Sequence, residues 1–176
     1  MSPKELAITG MGAALYAIVG YTTYFGITFY GVRFWPAVAV PGVFAVLFGG
    51  VVGGLSAAIG IFISDMATHG NALLSLTVGV PANFLGFYII GRISRGGDLR
   101  RMLLSFPLGL GVGSLIIGIG LMLWSQLFPL PFSDRITPMT LQAGLVLAAW
   151  TFITEIPFLY LIVPPVVKTI KRSGVL

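Results

Sequence analysis

Asn83 and Glu155 are a carboxamide and a carboxylate, each set deep inside one of the long apolar runs that make up most of this 176-residue chain. At bilayer depth an ionised carboxylate costs about 2.5–3.5 kcal/mol on insertion scales unless it faces protein or a water-filled cavity and finds a partner. Each residue lies about halfway along its run, so both are expected near the midplane, where they could share a chamber. Two roles fit. The amide donates to the carboxylate and staples two helices, or both groups face a bound molecule. Trp150, Thr151 and Thr154 lie within about one helical turn of Glu155, and an aromatic ring with hydroxyls suits a small polar-aromatic ligand.

Other polar residues sit at the ends of the runs. Arg33 and Trp35 share the loop after the first run, where they either close over a pocket or form an interfacial tryptophan beside a snorkelling arginine. Asp65, His69 and Asn71 cluster at the outer end of the third run. One Asp and one His supply too few ligands for a metal, so no metal site is expected and a solvated helix-terminal turn is the reading. His69 is the only histidine. No Ser lies in a nucleophile-elbow pattern, no two carboxylates share a run, and no glycine-rich loop carries the Lys and Ser/Thr of a phosphate cradle. The chain is therefore expected to have no catalytic residues and no cofactor, and not to be an enzyme. Uphill movement of any substrate would draw on a partner or an ion gradient.

The elements that must position these residues are membrane spans. Hydrophobic residues make up 57% of the chain and charged residues 9%, with a mean hydropathy of +1.01; a soluble domain carries about a quarter charged residues. The expectation is an all-α integral membrane protein, a single domain over residues 1–176 with six transmembrane helices. Lys4 and Glu5 lead straight into an apolar run, which is read as a retained first span and not a signal peptide. The runs are about Leu6 to Phe29, a short helix after Pro41 ending at Gly49 and Gly50, Val51 to Met66, Leu73 to Ile93 through Pro81, a glycine-rich fifth run to Phe128, and Met139 to Val167. Tyr21, Tyr24, Phe29 and Tyr30 mark the far end of the first span, and Gly31 to Pro36 forms the loop after it. The second and third helices are shorter than ideal spans, so one is tilted or begins inside the bundle. Cysteine is absent, so there is neither a disulfide framework nor thiol chemistry.

With six spans, Lys4, Arg92, Arg95, Arg100, Arg101, Lys168, Lys171 and Arg172 share one face, and Arg33 and Arg135 the other. Basic residues are retained on the cytoplasmic side, so both termini are expected there. The net charge of +5 is then accounted for by anionic lipid headgroups of the bilayer, without nucleic acid. Small residues recur at helical spacing in Ala13-x-x-x-Ala17, Gly49-x-x-x-Gly53, Gly50-x-x-x-Gly54 and Gly109-x-x-x-Gly113. In lipid such faces either pack helices within the bundle or, with Ala13 and Ala17 as the candidate, dock another membrane protein.

The segments Val40-Pro-Gly-Val-Phe-Ala-Val-Leu-Phe-Gly-Gly-Val-Val-Gly-Gly54, Ala57-Ala-Ile-Gly-Ile-Phe-Ile-Ser-Asp65 and Gly79-Val-Pro-Ala-Asn83-Phe-Leu-Gly-Phe-Tyr-Ile-Ile-Gly91 resemble the substrate-binding S component of energy-coupling factor (ECF) vitamin transporters. The resemblance implies a six-helix membrane subunit of the prokaryotic plasma membrane that captures a vitamin or related micronutrient with high affinity near the outer face. It implies partners too: a coupling transmembrane subunit and two cytoplasmic ATPase subunits, as in other ABC transporters. By the same resemblance Ala13 and Ala17 match the alanine motif that contacts the coupling subunit. Asn83 matches a fourth-helix asparagine, and Glu155 stands where some members carry a ligand-contacting residue. Arg33, Trp35, Asn83, Trp150, Thr151 and Glu155 are thus the candidate substrate-binding residues. Gly50 departs from the pattern, since many members have proline after the glycine. An acidic residue at the midplane favours a ligand with a cation or several N–H donors. A structural or assembly subunit and an autonomous ion-coupled transporter are the alternatives, although no inverted repeat is visible.

Overall fold

The computed structural model describes residues 1–23, 25–29, 32–95, 98–131 and 133–174. Six helices account for most of them. They are α1 (Pro3–Thr23), α2 (Ala39–Phe48, entered through a 3-10 turn at Pro36–Val38), α3 (Gly50–Thr68), α4 (Ala72–Ile93), α5 (Leu99–Trp124) and α6 (Leu141–Arg172). Among the described residues, all but α2 are long and apolar enough to cross a membrane. Large apolar side chains such as Leu6, Met11, Ile18, Leu104, Leu108 and Leu161 face outward, which lipid tolerates and water penalises.

Local chemistry sets the helix starts. Ser2 and Glu5 form a reciprocal capping box, with the Ser2 N–H donating to Glu5 Oε2 (2.7 Å) and the Glu5 N–H to Ser2 Oγ (3.2 Å), so the first turn has partners for its free donors. Asp98 caps α5 through the Arg101 N–H and Thr140 caps α6 through the Ala143 N–H. Between α2 and α3 the chain reverses at Gly49, whose φ of 91° lies in the left-handed region that a side chain disfavours.

The first span is shorter than the sequence suggests. Helix α1 ends at Thr23, and Phe29 belongs instead to a small antiparallel hairpin, β1 (Thr28–Phe29) with β2 (Val32–Arg33), in register Thr28 to Arg33. Tyr24, Tyr30 and Gly31, expected at the end of that span and in its loop, lie outside the described residues. After β2 the chain turns inward: Trp35 is 4% exposed, and Ala37 and Val38 are fully buried. Ten residues of α2 rise about 15 Å, half of a ~30 Å hydrocarbon core, so this helix begins inside the bundle, as its short apolar run implies.

Helix α4 contains a π-helical turn at Ser75–Gly79, immediately before Pro81. Proline lacks the N–H that would continue the ladder, and one wide turn accommodates the gap. Helices α4 and α5 touch backbone to backbone: a Cβ at Gly86 would lie 3.1 Å from the Gly109 carbonyl, and one at Gly109 would overlap the Gly86 carbonyl. Ala13 and Ala17 are buried at 2% and 9% exposure. The Ala13 carbonyl lies 2.8 Å from where a Cβ of Gly60 on α3 would stand. The Ala13/Ala17 face is therefore spent on packing within the bundle, and the outward-facing small residues of α1 are Ala7, Gly10 and Ala14.

Met1, Glu5, Gly49, Gly50, Arg92 and Arg95 line one groove, so the start of α1, the α2/α3 reversal and the end of α4 share one end of the bundle. Helix α6 runs the same way as α2, its Leu159 and Val163 packing beside Gly42. The hairpin and the α3/α4 turn occupy the opposite end.

Candidate functional site

A cavity opens at the hairpin end and descends between the helices, with about 120 Å³ of room for the centre of a water-sized sphere. One water needs on the order of 10–15 Å³ by that measure, so the space suits an organic molecule of modest size. Asn83 and Glu155 both line it, together with Tyr16, Asp65, Ser114 and Thr151. The two residues predicted to share a chamber do share one.

They are not, however, each other's partner. The Tyr16 hydroxyl donates to Asn83 Oδ1 (2.8 Å) and accepts from the Trp35 indole N–H (2.8 Å), while Asn83 Nδ2 donates to the Gly79 carbonyl (3.0 Å). This chain of bonds ties the segment after the hairpin to α1 and α4. Gly20 supplies the seat for Trp35, since any Cβ there would overlap the indole ring. Tyr16 is 1% exposed, and its ring also meets Phe87 edge-on at 6.4 Å. The sequence reading did not single out Tyr16; its one signal was a phenol between the two small residues of the α1 packing face.

At the mouth, Arg33 and Asp65 form an ion pair whose side chains are only 8% and 9% exposed. Arg33 also donates to Ser64 Oγ (3.3 Å) and Thr68 Oγ1 (2.6 Å), and its guanidinium lies 4.2 Å from the Trp35 ring centroid. Asp65 Oδ2 accepts from the Ser75 hydroxyl (2.7 Å). His69 accepts the Asn71 N–H at Nδ1 (3.1 Å) and turns Nε2 toward Asp65 at 3.5 Å. These contacts correct the expectation of a solvated turn after the third run: Asp65 is buried because the hairpin brings Arg33 down onto it. They also settle Arg33 and Trp35 as interior residues and not as interfacial anchors. An isolated charge is too costly inside, and the pair with its satisfied hydroxyls makes the burial tolerable.

Glu155 differs from Asp65, the other acidic side chain of the cavity. It is 8% exposed, it lines the cavity, and no described residue gives it a hydrogen bond. Thr151 stands one turn away on the same face of α6, its hydroxyl bonded to the Leu147 carbonyl (3.0 Å). Trp150 does not line the cavity; its ring packs on Phe29 with centroids 5.3 Å apart, and Thr154 is bonded back to the Trp150 carbonyl. Periodicity placed both within a turn of the acid, but the turn they occupy faces elsewhere. Ser114, a further lining residue not anticipated, is 2% exposed with its hydroxyl unpartnered. No cluster of three metal-ligating side chains occurs among the described residues.

The architecture is a bundle of apolar helices around a chamber lined by buried polar groups. The profile described as "ECF transporter, substrate-specific component" matches residues 4–167, and the chain belongs to that family. It is a multi-pass membrane protein that serves as the substrate-binding part of a transporter, and it is not an enzyme. No curated protein and no solved structure matches the chain.

Proposed function

We propose that this substrate-specific component captures a vitamin or related micronutrient in the cavity beneath the hairpin and hands it over with a coupling transmembrane subunit and two cytoplasmic ATPase subunits. The observation that carries the binding role is Glu155, a buried carboxylate that faces the chamber with no protein donor. Such a group is costly to keep at this depth unless something else completes it. Thr151 stands beside it, and Asn83 keeps one amide hydrogen in reserve. Arg33 and Trp35 act from above, holding the hairpin segment over the mouth, and Trp150 supports the wall from behind.

The end of the bundle that bears Lys4, Arg92, Arg95, Arg100, Arg101, Lys168, Lys171 and Arg172 is taken as cytoplasmic, in a prokaryotic plasma membrane, which makes the cavity mouth external. Because Ala13 and Ala17 are committed inward, the coupling subunit meets the adjacent face, where Gly10 has nothing within 4 Å and Ala14 is exposed. Small outward residues allow the close backbone approach that helix pairing in lipid requires.

The test is mass spectrometry of small molecules released from purified wild-type protein and from Glu155→Gln. Wild type is expected to release a bound molecule that the variant, still folded, has lost. A variant that loses stability in step with wild type lacking any bound molecule would instead mark Glu155 as a purely structural residue.

A further inference from the structure

The polar groups of the chamber fall into those already used and those held open. Tyr16, Asn83, Asp65 and Ser75 are bonded to one another or to neighbours. Buried serine and threonine hydroxyls on the helices are consumed as well. Thr9 donates to the Glu5 carbonyl (2.8 Å), Ser94 to Ile90 (2.6 Å), Ser105 to Met102 (2.7 Å) and Thr151 to Leu147 (3.0 Å). Ser114 breaks this habit. Its hydroxyl is buried without a partner and stands on the cavity wall, although a carbonyl one turn back is the ordinary destination for a serine in a helix. The other unpartnered buried polar atom among the described residues, Trp150 Nε1, does not belong to the cavity lining.

Charge is unbalanced in the same place. Among the described residues Arg33 is the one Lys or Arg lining the chamber, against the two acidic side chains Asp65 and Glu155, with His69 beside Asp65. Arg33 is bonded to Asp65 and reaches Glu155 only through space, so Glu155 has no hydrogen-bonded cation among the described residues. Taking the binding role of this cavity as given, we propose that it reads a small, singly positive heterocycle at two points. Glu155 accepts N–H bonds from the cationic group, and the Ser114 hydroxyl donates to an acceptor on the ring. A carboxylate is an acceptor only, whereas a hydroxyl can donate, so the two open groups ask for complementary features on one ligand. A neutral or anionic molecule of the same shape would leave Glu155 uncompensated, which provides the discrimination.

The proposal is tested on the purified full chain with probes matched in shape: benzamidinium, benzamide and benzoate, followed by the three ring-nitrogen isomers of amidinopyridine. Binding is read from ligand-dependent thermal stability, alongside mass spectrometry of any co-purified molecule. Benzamidinium is expected to bind at least about tenfold more tightly than benzamide, with benzoate weakest, and Glu155→Gln should erase that order, since hydrogen bonds to charged groups carry differences of this size. One amidinopyridine isomer should exceed benzamidinium about fivefold in wild type and lose that advantage in Ser114→Ala when the two probes are compared on the same variant. Benzoate or benzamide binding as well as benzamidinium, or a co-purified molecule that is anionic, overturns the charge assignment alone. An isomer advantage that survives Ser114→Ala overturns the role of Ser114. If no probe binds and no molecule co-purifies, the binding reading itself fails.

Discussion

Replacing Asp65 with Asn removes one charge from the cavity mouth while keeping the side chain's shape. In the native arrangement Asp65 Oδ1 takes the Arg33 guanidinium and Oδ2 takes the Ser75 hydroxyl, and both members of the ion pair are less than one-tenth exposed. Breaking such a pair strands the remaining charge, and the cost is about 3–5 kcal/mol. Arg33 would keep the Ser64 and Thr68 hydroxyls and the face of Trp35, which sets the expectation at the lower end, about 3 kcal/mol. At about 2–4 °C per kcal/mol for a chain of this size, the midpoint of thermal unfolding should fall by about 6–12 °C. Tryptophan fluorescence in detergent reads this directly, and Trp35 beside Arg33 should report an early loosening of the hairpin. The double variant Arg33→Met with Asp65→Leu should regain much of the loss, because it buries no unpaired charge. An Asp65→Asn midpoint within about 2 °C of wild type would refute the claim that this pair fixes the hairpin segment onto α3.

Four further outcomes follow from the packing. Tyr16→Phe deletes the hydroxyl that joins Trp35 to Asn83, leaving a buried indole N–H without its acceptor, and should cost about 1–3 kcal/mol in thermal or denaturant unfolding. Gly109→Val places branched carbons against the Gly86 carbonyl and Ile90; the α4–α5 contact must open, and unfolding at lower temperature by at least about 3 °C is expected, in line with an overpacking cost of about 1–3 kcal/mol. Ala14→Trp, on the outward face of α1, should leave stability and ligand retention unchanged while abolishing co-purification with the coupling subunit. Ala13→Trp should instead damage the fold, since that position is 2% exposed.

Membrane character, the number of helices and the clustering of basic residues at one end were determined by the sequence alone, because these depend on composition and run length, which lipid enforces segment by segment. Helix starts were equally local: the Ser2/Glu5 box and the caps at Asp98 and Thr140 need only residues within a turn. That Asn83 and Glu155 could share a chamber was also readable, since each lies about midway along its run and both line one cavity. Rotation about each helix axis was not. Helical spacing treats Ala13 and Gly10 as equally eligible for a partner and Trp150 and Thr151 as equally near the acid. Only packing against α3 turned Ala13 inward, and only the placement of α6 against its neighbours put Thr151 on the cavity and Trp150 behind it. The contacts of Asp65 were further out of reach, because its ion pair spans 32 residues and depends on a two-strand hairpin dropping Arg33 into the bundle. Tertiary structure alone also decided which polar groups remain unsatisfied, because a hydrogen bond already made within the protein is invisible in a string of residue types; that is the physical reason Asn83 turned out to be occupied while Glu155 and Ser114 stay open.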